Sequence, residues 1–367
     1  MKAPILRGTV LALLLLTAAC GAPAATPTAA PAAATAPPAA GTGTAAPAAT
    51  NTPAPAATAG TAAHTPGALT RVVVAMGYIP NVQFAPFYLA EDRGYYAAEG
   101  LAVEFKYGQV NDLLKVVSTG AIDFANVSGD EMVPAVAQGI PVRYVLTQYY
   151  RYPIAAAAIG ATVLKSPADL KGQTIGIPGP YGSTYIGLRA LLQAANLQES
   201  DVHEQSIGFT QVAAVLNHQV PIAMVYSMNE PEQLRASGQQ VSLLQVADYE
   251  NLAAVGLATS LTKLQQDPAQ VRGFVRATLH GISDTVADPD AAFASSLKRM
   301  PELAADQQPL QRAVLTATLP FMTPPAGRKP GSSDPQTWQT TESFLRSIGL
   351  SSQAIDPTTL WTNDYLP

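Results

Sequence analysis

The chain has 367 residues, a formal charge of −5 and a single cysteine, Cys20. A net negative charge gives no electrostatic reason to bind nucleic acid, which requires a basic face. With one thiol, the chain has no internal disulfide, and its residues beyond Cys20 offer no thiolate metal site and no cysteine nucleophile.

The first 20 residues have the pattern of a secretion leader. Lys2 and Arg7 precede an apolar run at 10–16, which is followed by small residues at 17–19 and by Cys20. The run is shorter than the roughly 20 residues that span a bilayer. A cysteine at this point resembles the lipobox of bacterial lipoproteins, although Thr17 stands where leucine is expected. The resemblance implies a signal peptide over 1–19 and a lipid anchor on Cys20; the alternative is an ordinary secretory signal with an incidental cysteine.

The next segment, 20–69, is dominated by Ala, Pro, Thr and Gly and lacks aromatic residues. Such a composition buries too little apolar surface to offset the entropy of ordering. We predict a disordered linker that holds a folded body away from the extracytoplasmic face of the cell membrane.

The body alternates strand and helix patterns, which predicts an α/β fold with mainly parallel sheets. The first series has strands at 71–76, 101–107, 122–127 and 142–148 and helices at 84–98, 111–118 and 131–138. The second series has strands at 173–177, 222–226 and 241–246 and helices at 183–195, 209–216 and 230–236. An apolar stretch at 249–259 crosses back, and helices follow at 268–288, 291–300, 307–319 and 335–348.

This order predicts two α/β lobes joined by a hinge of two crossings, near 151–159 and 252–258. Lobe one comprises 70–160 and 258–367, and lobe two comprises 161–257. About 300 residues are comfortable for two lobes and large for one core.

Ligands of open α/β sheets bind beyond the carboxyl ends of the strands, so the loops there are the candidate site. These loops are rich in tyrosine and in short polar side chains. The predicted ligand-binding residues are Tyr78, Asn81, Phe84, Ser128, Asp130, Tyr149, Arg151, Tyr181, Ser183, Thr184, Tyr226, Asn229 and Glu230.

Helix capping is the alternative role for several of these side chains. Ser128, Asp130, Ser183 and Asn229 all stand at or near the start of a predicted helix, where such residues commonly cap. Capping explains single residues more readily than it explains five loops together.

The charges in these loops favour a neutral ligand. The loops contain three carboxylates, Asp130, Glu131 and Glu230, and one obvious cation, Arg151. A buried carboxylate beside an anionic ligand is costly. Tyrosine rings would stack on a flat molecule, and carboxylates and amides would accept from its N–H or O–H groups. Ser183 and Thr184 could receive a phosphate, so a ligand with an anionic tail is an alternative.

Several segments resemble periplasmic solute-binding proteins of the sulfonate, nitrate and thiamine-pyrimidine group. They are Gly77-Tyr78-Ile79-Pro80-Asn81, the run from Gly94 to Leu101, Gly120-Ala121-Ile122-Asp123-Phe124-Ala125, and the run from Asp169 to Gly176. The resemblance covers about 71–285. It implies a type II periplasmic-binding-protein fold that closes on its ligand and delivers it to an ABC permease.

Two further segments, Ser128-Gly129-Asp130-Glu131 and 206–211, look most similar to the thiamine-precursor and lipid-anchored riboflavin-binding branches. That resemblance implies riboflavin as the transported ligand of a monomer, with no cofactor, no metal and no catalytic residues. The alternatives are a formylaminopyrimidine or hydroxymethylpyrimidine, or an alkylsulfonate. An enzyme is a further alternative, because fungal pyrimidine synthases share the fold; their cysteine-rich motif is absent here.

Overall fold

The computed structural model describes residues 68–77, 79–108 and 113–367. The predicted signal peptide, the Cys20 anchor and nearly all of the linker lie outside the described residues. No helix of the described part is long and apolar enough to cross a bilayer.

Ten strands lie in the described ranges. They are β1 (Thr70–Ala75), β2 (Leu101–Lys106), β3 (Phe124–Ser128), β4 (Val142–Thr147), β5 (Ile154–Ile159), β6 (Thr174–Ile177), β7 (His203–Ser206), β8 (Ile222–Tyr226), β9 (Val241–Gln245) and β10 (Val255–Ser260).

Twelve α-helices lie in the same ranges. They are α1 (Ala85–Asp92), α2 (Tyr95–Ala98), α3 (Leu113–Ser118), α4 (Met132–Ala137), α5 (Gly182–Ala194), α6 (Gln211–Leu216), α7 (Glu230–Ala236), α8 (Leu261–Gln266), α9 (Pro268–Ala287), α10 (Pro289–Leu297), α11 (Gln308–Met322) and α12 (Pro335–Ser347).

The strands form two five-stranded sheets, ordered β2-β1-β3-β10-β4 and β7-β6-β8-β5-β9. In each sheet four of the five strands run in one direction, in line with the expectation of mainly parallel sheets, and one strand runs the opposite way, so both sheets are mixed. Strand β10 runs antiparallel to β3 and β4, and β5 runs antiparallel to β8 and β9. Each of these strands enters its sheet directly after the chain has crossed from the other sheet, which reverses its direction.

The chain passes between the sheets twice. Residues 148–153 lead from β4 to β5, and residues 246–254 lead from β9 back to β10. These connections overlap the two crossings expected from the sequence. The lobe boundaries and the hinge itself stay a prediction.

The core is built from strands and the helices that cover them. In the first sheet, the Phe124 ring stacks on Phe274 of α9 at a centroid distance of 4.1 Å, and Tyr96 stacks on the same ring at 5.2 Å. In the second sheet, the alanines at 155–158 of β5 are fully buried. Helix α5 packs closely against the start of this strand, since a Cβ on Gly187 would lie 2.6 Å from the Ile154 side chain.

Some predicted boundaries are wrong for identifiable reasons. The helix expected over 84–98 is broken at Gly94, whose φ of 71° is left-handed, and becomes α1 and α2. The helix predicted over 307–319 extends further, to Met322, and includes Pro320. Proline has no N–H to donate to the carbonyl four residues earlier, so the helix loses that hydrogen bond, and α11 ends two residues later at Met322.

Packing of α1 on α9 generates a test of the fold. A Cβ on Gly281 would lie 2.8 Å from the Ala90 Cβ and closer still to the Pro86 carbonyl oxygen. Because backbone cannot yield easily, we expect Gly281→Ala to destabilise the protein by about 1–3 kcal/mol, measured as a lower melting temperature. Ser283→Ala, at an exposed position of the same helix, is the control. Equal melting temperatures for the two variants would contradict this packing.

Candidate functional site

A cavity of about 700 Å³ opens between the carboxyl ends of strands from both sheets. Its wall includes Met76 and Gly77 after β1, the end of β3, and Tyr149 after β4. The second sheet contributes the loop after β6, the first residues of α5, and the segment after β8. The volume lies within the range of small-molecule sites.

Nine of the thirteen predicted site residues lie on this wall. They are Phe84, Ser128, Tyr149, Tyr181, Ser183, Thr184, Tyr226, Asn229 and Glu230. Their contact with a ligand stays a prediction.

The other four predicted residues are not on the described wall. Tyr78 lies outside the described residues. Asn81 is buried, and its Oδ1 accepts a hydrogen bond of 2.9 Å from the Gln83 backbone N–H, so it caps a short 3₁₀ helix. Arg151 forms an ion pair on the surface with Asp248. The cation that was expected in the cavity therefore has an acidic partner elsewhere.

Asp130 lies behind the wall and is fully buried. Its Oδ2 accepts a hydrogen bond from the Tyr152 hydroxyl, and its Oδ1 accepts one of 3.1 Å from Ser183 Oγ. The Tyr152 hydroxyl is also 2.9 Å from the Ser183 carbonyl oxygen. This cluster joins the end of β3 in the first sheet to α5 in the second.

Burial dominates the electrostatics of this cluster. It raises the pKa of Asp130, and the hydrogen bonds from Tyr152 and Ser183 partly oppose that rise. Burial and the Asp130 charge also raise the pKa of Tyr152. The tyrosine therefore stays protonated and available as a donor.

Glu131 follows Asp130 and lies on the wall. Its Oε1 is 3.6 Å from the position that a Cβ atom on Gly182 would take, so it reaches the first residue of α5. Burial and the neighbouring Asp130 charge raise the pKa of Glu131. Burial together with the charges of Glu131 and Asp130 raises the pKa of Tyr226, at the end of β8.

Glu230 is the second carboxylate of the wall. Its Oε2 accepts a hydrogen bond of 2.9 Å from the Tyr226 backbone N–H, and its Oε1 accepts one of 3.0 Å from Asn229 Nδ2. Burial raises the pKa of Glu230. The Asn229 Oδ1 in turn accepts a hydrogen bond of 3.2 Å from Gln233 Nε2.

The capping alternative is not observed for three of the polar side chains. Asn229 and Ser128 stand at N-cap positions but make no capping hydrogen bond, and Ser183 is the second residue of α5. The Ser128 hydroxyl is buried and has no hydrogen bond of acceptable geometry. It lies close enough to Asp130 to lower the pKa of that carboxyl.

Aromatic side chains reach the cavity from both sheets. Phe84 and Tyr149 are buried on the first-sheet side, and the Tyr149 ring packs against Phe321 at a centroid distance of 6.0 Å. On the second-sheet side, Tyr181 is 46% exposed and Phe209 is 48% exposed. Exposed aromatic rings beside a cavity are available to stack on a flat ligand.

Sequence reasoning missed several wall residues. Glu131 was noted for its charge but was not predicted as a binding residue, although it stands beside Asp130 in a strand-end loop. Phe209 and Gln211 follow β7, a short edge strand whose polar sequence gave no strand signal. A strand assignment there would have marked the following loop as part of the site. Lys115 of α3 supplies the ammonium group of the described wall.

A pH-dependent stability follows from the position of Glu131. Its pKa in the folded protein lies above the ordinary value of 4.5, so the folded state holds a proton that the unfolded chain releases. Stability is therefore lost as the pH rises from about 4.5 through the raised pKa. We expect Glu131→Gln to raise the melting temperature by about 2–4 °C at pH 8.5 and by less at pH 5.

Glu302→Gln is the matched control for this measurement, because Glu302 is exposed and is not a wall residue. An equal shift in melting temperature for Glu131→Gln at the two pH values would contradict the raised pKa of Glu131.

The chain is similar in sequence to a known family and to several known proteins. Residues 81–292 match the model of a family described as NMT1/THI5 like. The riboflavin-binding protein of Chloroflexus aurantiacus is 44% identical over 100% of this chain and 99% of its own length. The 4-amino-5-hydroxymethyl-2-methylpyrimidine phosphate synthase of Legionella pneumophila is 23% identical over 81% of this chain and 93% of its own length.

Among solved structures, the periplasmic aliphatic sulphonate-binding protein of Escherichia coli matches with a TM-score of 0.63 at 15% identity. The match covers 80% of this chain and 92% of that chain. It confirms the predicted fold class, that of periplasmic binding proteins with two α/β sheets.

Proposed function

The chain belongs to the NMT1/THI5-like family, and from this premise we propose that it is the extracytoplasmic solute-binding component of an ABC importer with riboflavin as its ligand. The observation that carries the ligand is the full-length similarity to the riboflavin-binding protein of Chloroflexus aurantiacus. The cavity supports it independently, because aromatic rings and hydrogen-bond acceptors line the same space.

The wall suggests how a flavin would be held. The isoalloxazine ring would stack on aromatic side chains such as Tyr181 and Phe209, which are exposed at the cavity. The ribityl hydroxyls and the ring N–H would donate to Glu131, Glu230 and the Asn229 amide oxygen. Contacts to both sheets would stabilise a closed form, with bending at 148–153 and 246–254 between lobe one (70–160 and 258–367) and lobe two (161–257).

A binding role is favoured over an enzymatic one. The relatives include a synthase, but the single cysteine of this chain stands at position 20, so the described body has no thiol for covalent chemistry. In our proposal the protein makes and breaks no bond in its ligand, and the ABC permease is its partner.

Titration with riboflavin tests this proposal. We expect saturable quenching of flavin fluorescence by the purified protein, with a dissociation constant of about 1 µM or lower, because stacking on electron-rich rings quenches the excited flavin. Tyr181→Ala and Asn229→Ala should each weaken affinity by about 10-fold, the loss of roughly 1.4 kcal/mol of ring or amide contact.

Tyr249→Ala is the control, because Tyr249 is similarly exposed, at 42%, and is not a wall residue. Absence of saturable quenching, with a thermal shift for a pyrimidine precursor or an alkylsulfonate instead, would overturn the riboflavin assignment and leave the binding-protein fold in place. Unchanged riboflavin affinity in both Tyr181→Ala and Asn229→Ala would contradict binding at this part of the cavity wall.

We propose that a lipid on Cys20 holds the protein at the membrane, consistent with the lipobox-like order of residues before it. The expected result of Cys20→Ser, expressed in a bacterium that processes lipoproteins, is loss of the protein from the membrane fraction, since acyl chains supply the anchor. Fractionation followed by immunoblotting measures it, with Ser283→Ala as a control. Retention of the serine variant in the membrane fraction would contradict the lipid anchor.

A further inference from the structure

The asparagine in the middle of β3, Asn126, reaches the wall of the cavity from the first sheet. The residue is 9% exposed, and it lies on the wall together with Gly77, Tyr149 and Val255. Gly77 is directly beside it, since a Cβ on Gly77 would lie 3.6 Å from the Asn126 backbone oxygen. Asn126 is therefore a buried polar residue on the first-sheet side of the cavity.

Both hydrogens of the Asn126 amide nitrogen are used within the protein. Nδ2 donates a hydrogen bond of 2.7 Å to Gln148 Oε1 and one of 3.2 Å to the Gly256 carbonyl oxygen. The Gly256 carbonyl fixes which way the amide faces, because a carbonyl oxygen only accepts and the amide nitrogen is the donor of this side chain. The Gln148 backbone is held in turn, since its N–H donates to the Val255 carbonyl oxygen at 3.0 Å.

The amide oxygen of Asn126 is the part of the side chain that is left for a ligand. No residue of the described ranges donates a hydrogen bond to Oδ1. Because Nδ2 is turned towards Gln148 and Gly256, Oδ1 is the polar atom that a molecule in the cavity meets. A buried acceptor without a donor is costly, and a ligand hydroxyl or N–H removes that cost.

The ribityl chain of riboflavin suits this acceptor. In the proposed function the isoalloxazine ring stacks on Tyr181 and Phe209, which follow β6 and β7 of the second sheet. The chain is then the part of the ligand that extends towards the first sheet, and each of its hydroxyls can donate a hydrogen bond. The ring carbonyl oxygens cannot fill this role, because they are acceptors like Oδ1 itself.

We propose that Asn126 is a binding residue for the ribityl chain, with its Oδ1 accepting a hydrogen bond from a ribityl hydroxyl. Gln148 and Gly256 hold the amide in the orientation that this hydrogen bond requires. The inference rests on the proposed function and deepens it, because it assigns to the first-sheet wall the recognition of the polyhydroxylated chain. The protein thereby distinguishes a flavin that carries this chain from a bare isoalloxazine.

The test is a pair of fluorescence titrations, with riboflavin and with lumiflavin, which carries a methyl group in place of the ribityl chain. We expect Asn126→Ala to weaken the affinity for riboflavin by about 3- to 10-fold, the loss of one hydrogen bond. The affinity for lumiflavin should stay nearly unchanged, so the ratio of the two affinities falls. Asn217→Ala makes the same change at an exposed position outside the cavity wall and should leave both affinities unchanged.

The outcomes separate the inference from the proposed function. Equal weakening for the two flavins in Asn126→Ala overturns the inference, because a contact to the ring or a general disturbance of the site acts on both ligands. Unchanged affinity for riboflavin in that variant overturns it as well. In both cases the wild type still binds riboflavin, and the proposed function stands. A wild type that does not bind riboflavin overturns the proposed function and the inference with it.

Circular dichroism checks the fold of Asn126→Ala, which leaves the acceptors of Gln148 and Gly256 without their donor. Asn126→Leu, which keeps nearly the same side-chain shape, replaces it in the same comparison if that fold is lost.

Discussion

The buried Asp130 carboxylate is the constraint around which the cavity is arranged. It stands two residues after the end of β3. It accepts hydrogen bonds from Tyr152, in the connection between β4 and β5, and from Ser183 of α5. Because an unpaired buried carboxylate is costly, these two donors stabilise the contact between the end of β3 and the start of α5, behind the cavity wall. Glu131 follows from this arrangement, since the residue after Asp130 is directed to the start of α5.

The cavity wall offers a ligand two kinds of contact, hydrogen-bond acceptors and aromatic rings. The carboxylates and the Asn229 amide supply acceptors, while Phe84, Tyr149, Tyr181 and Phe209 supply ring surface. Ring stacking favours any flat molecule and the acceptors favour one that carries donors. This combination fits the proposed ligand, a flat heteroaromatic molecule with hydroxyl groups.

The sequence predicted those site residues whose position depends on the neighbouring sequence. Ligand loops follow strand ends, so Ser128, Tyr149 and Tyr226 could be placed on the wall by finding buried β-branched or apolar runs. Contacts between residues that are far apart in the sequence leave no comparable pattern around either residue. The partner of Arg151 is Asp248, 97 positions away, and nothing near either residue indicates the pair. Strand β7 is polar and lies at a sheet edge, so its pattern did not reveal Phe209.

A crystal structure of the protein with riboflavin would test the central claim most directly. The measured quantities are the distances from the Glu131 carboxylate oxygens to the nearest ligand atoms. We predict a ligand hydroxyl or N–H within hydrogen-bond distance, about 2.6–3.2 Å, with the ring system against aromatic side chains of the wall. Riboflavin bound outside this cavity, or bound with its carbonyl oxygens towards Glu131, would contradict the account.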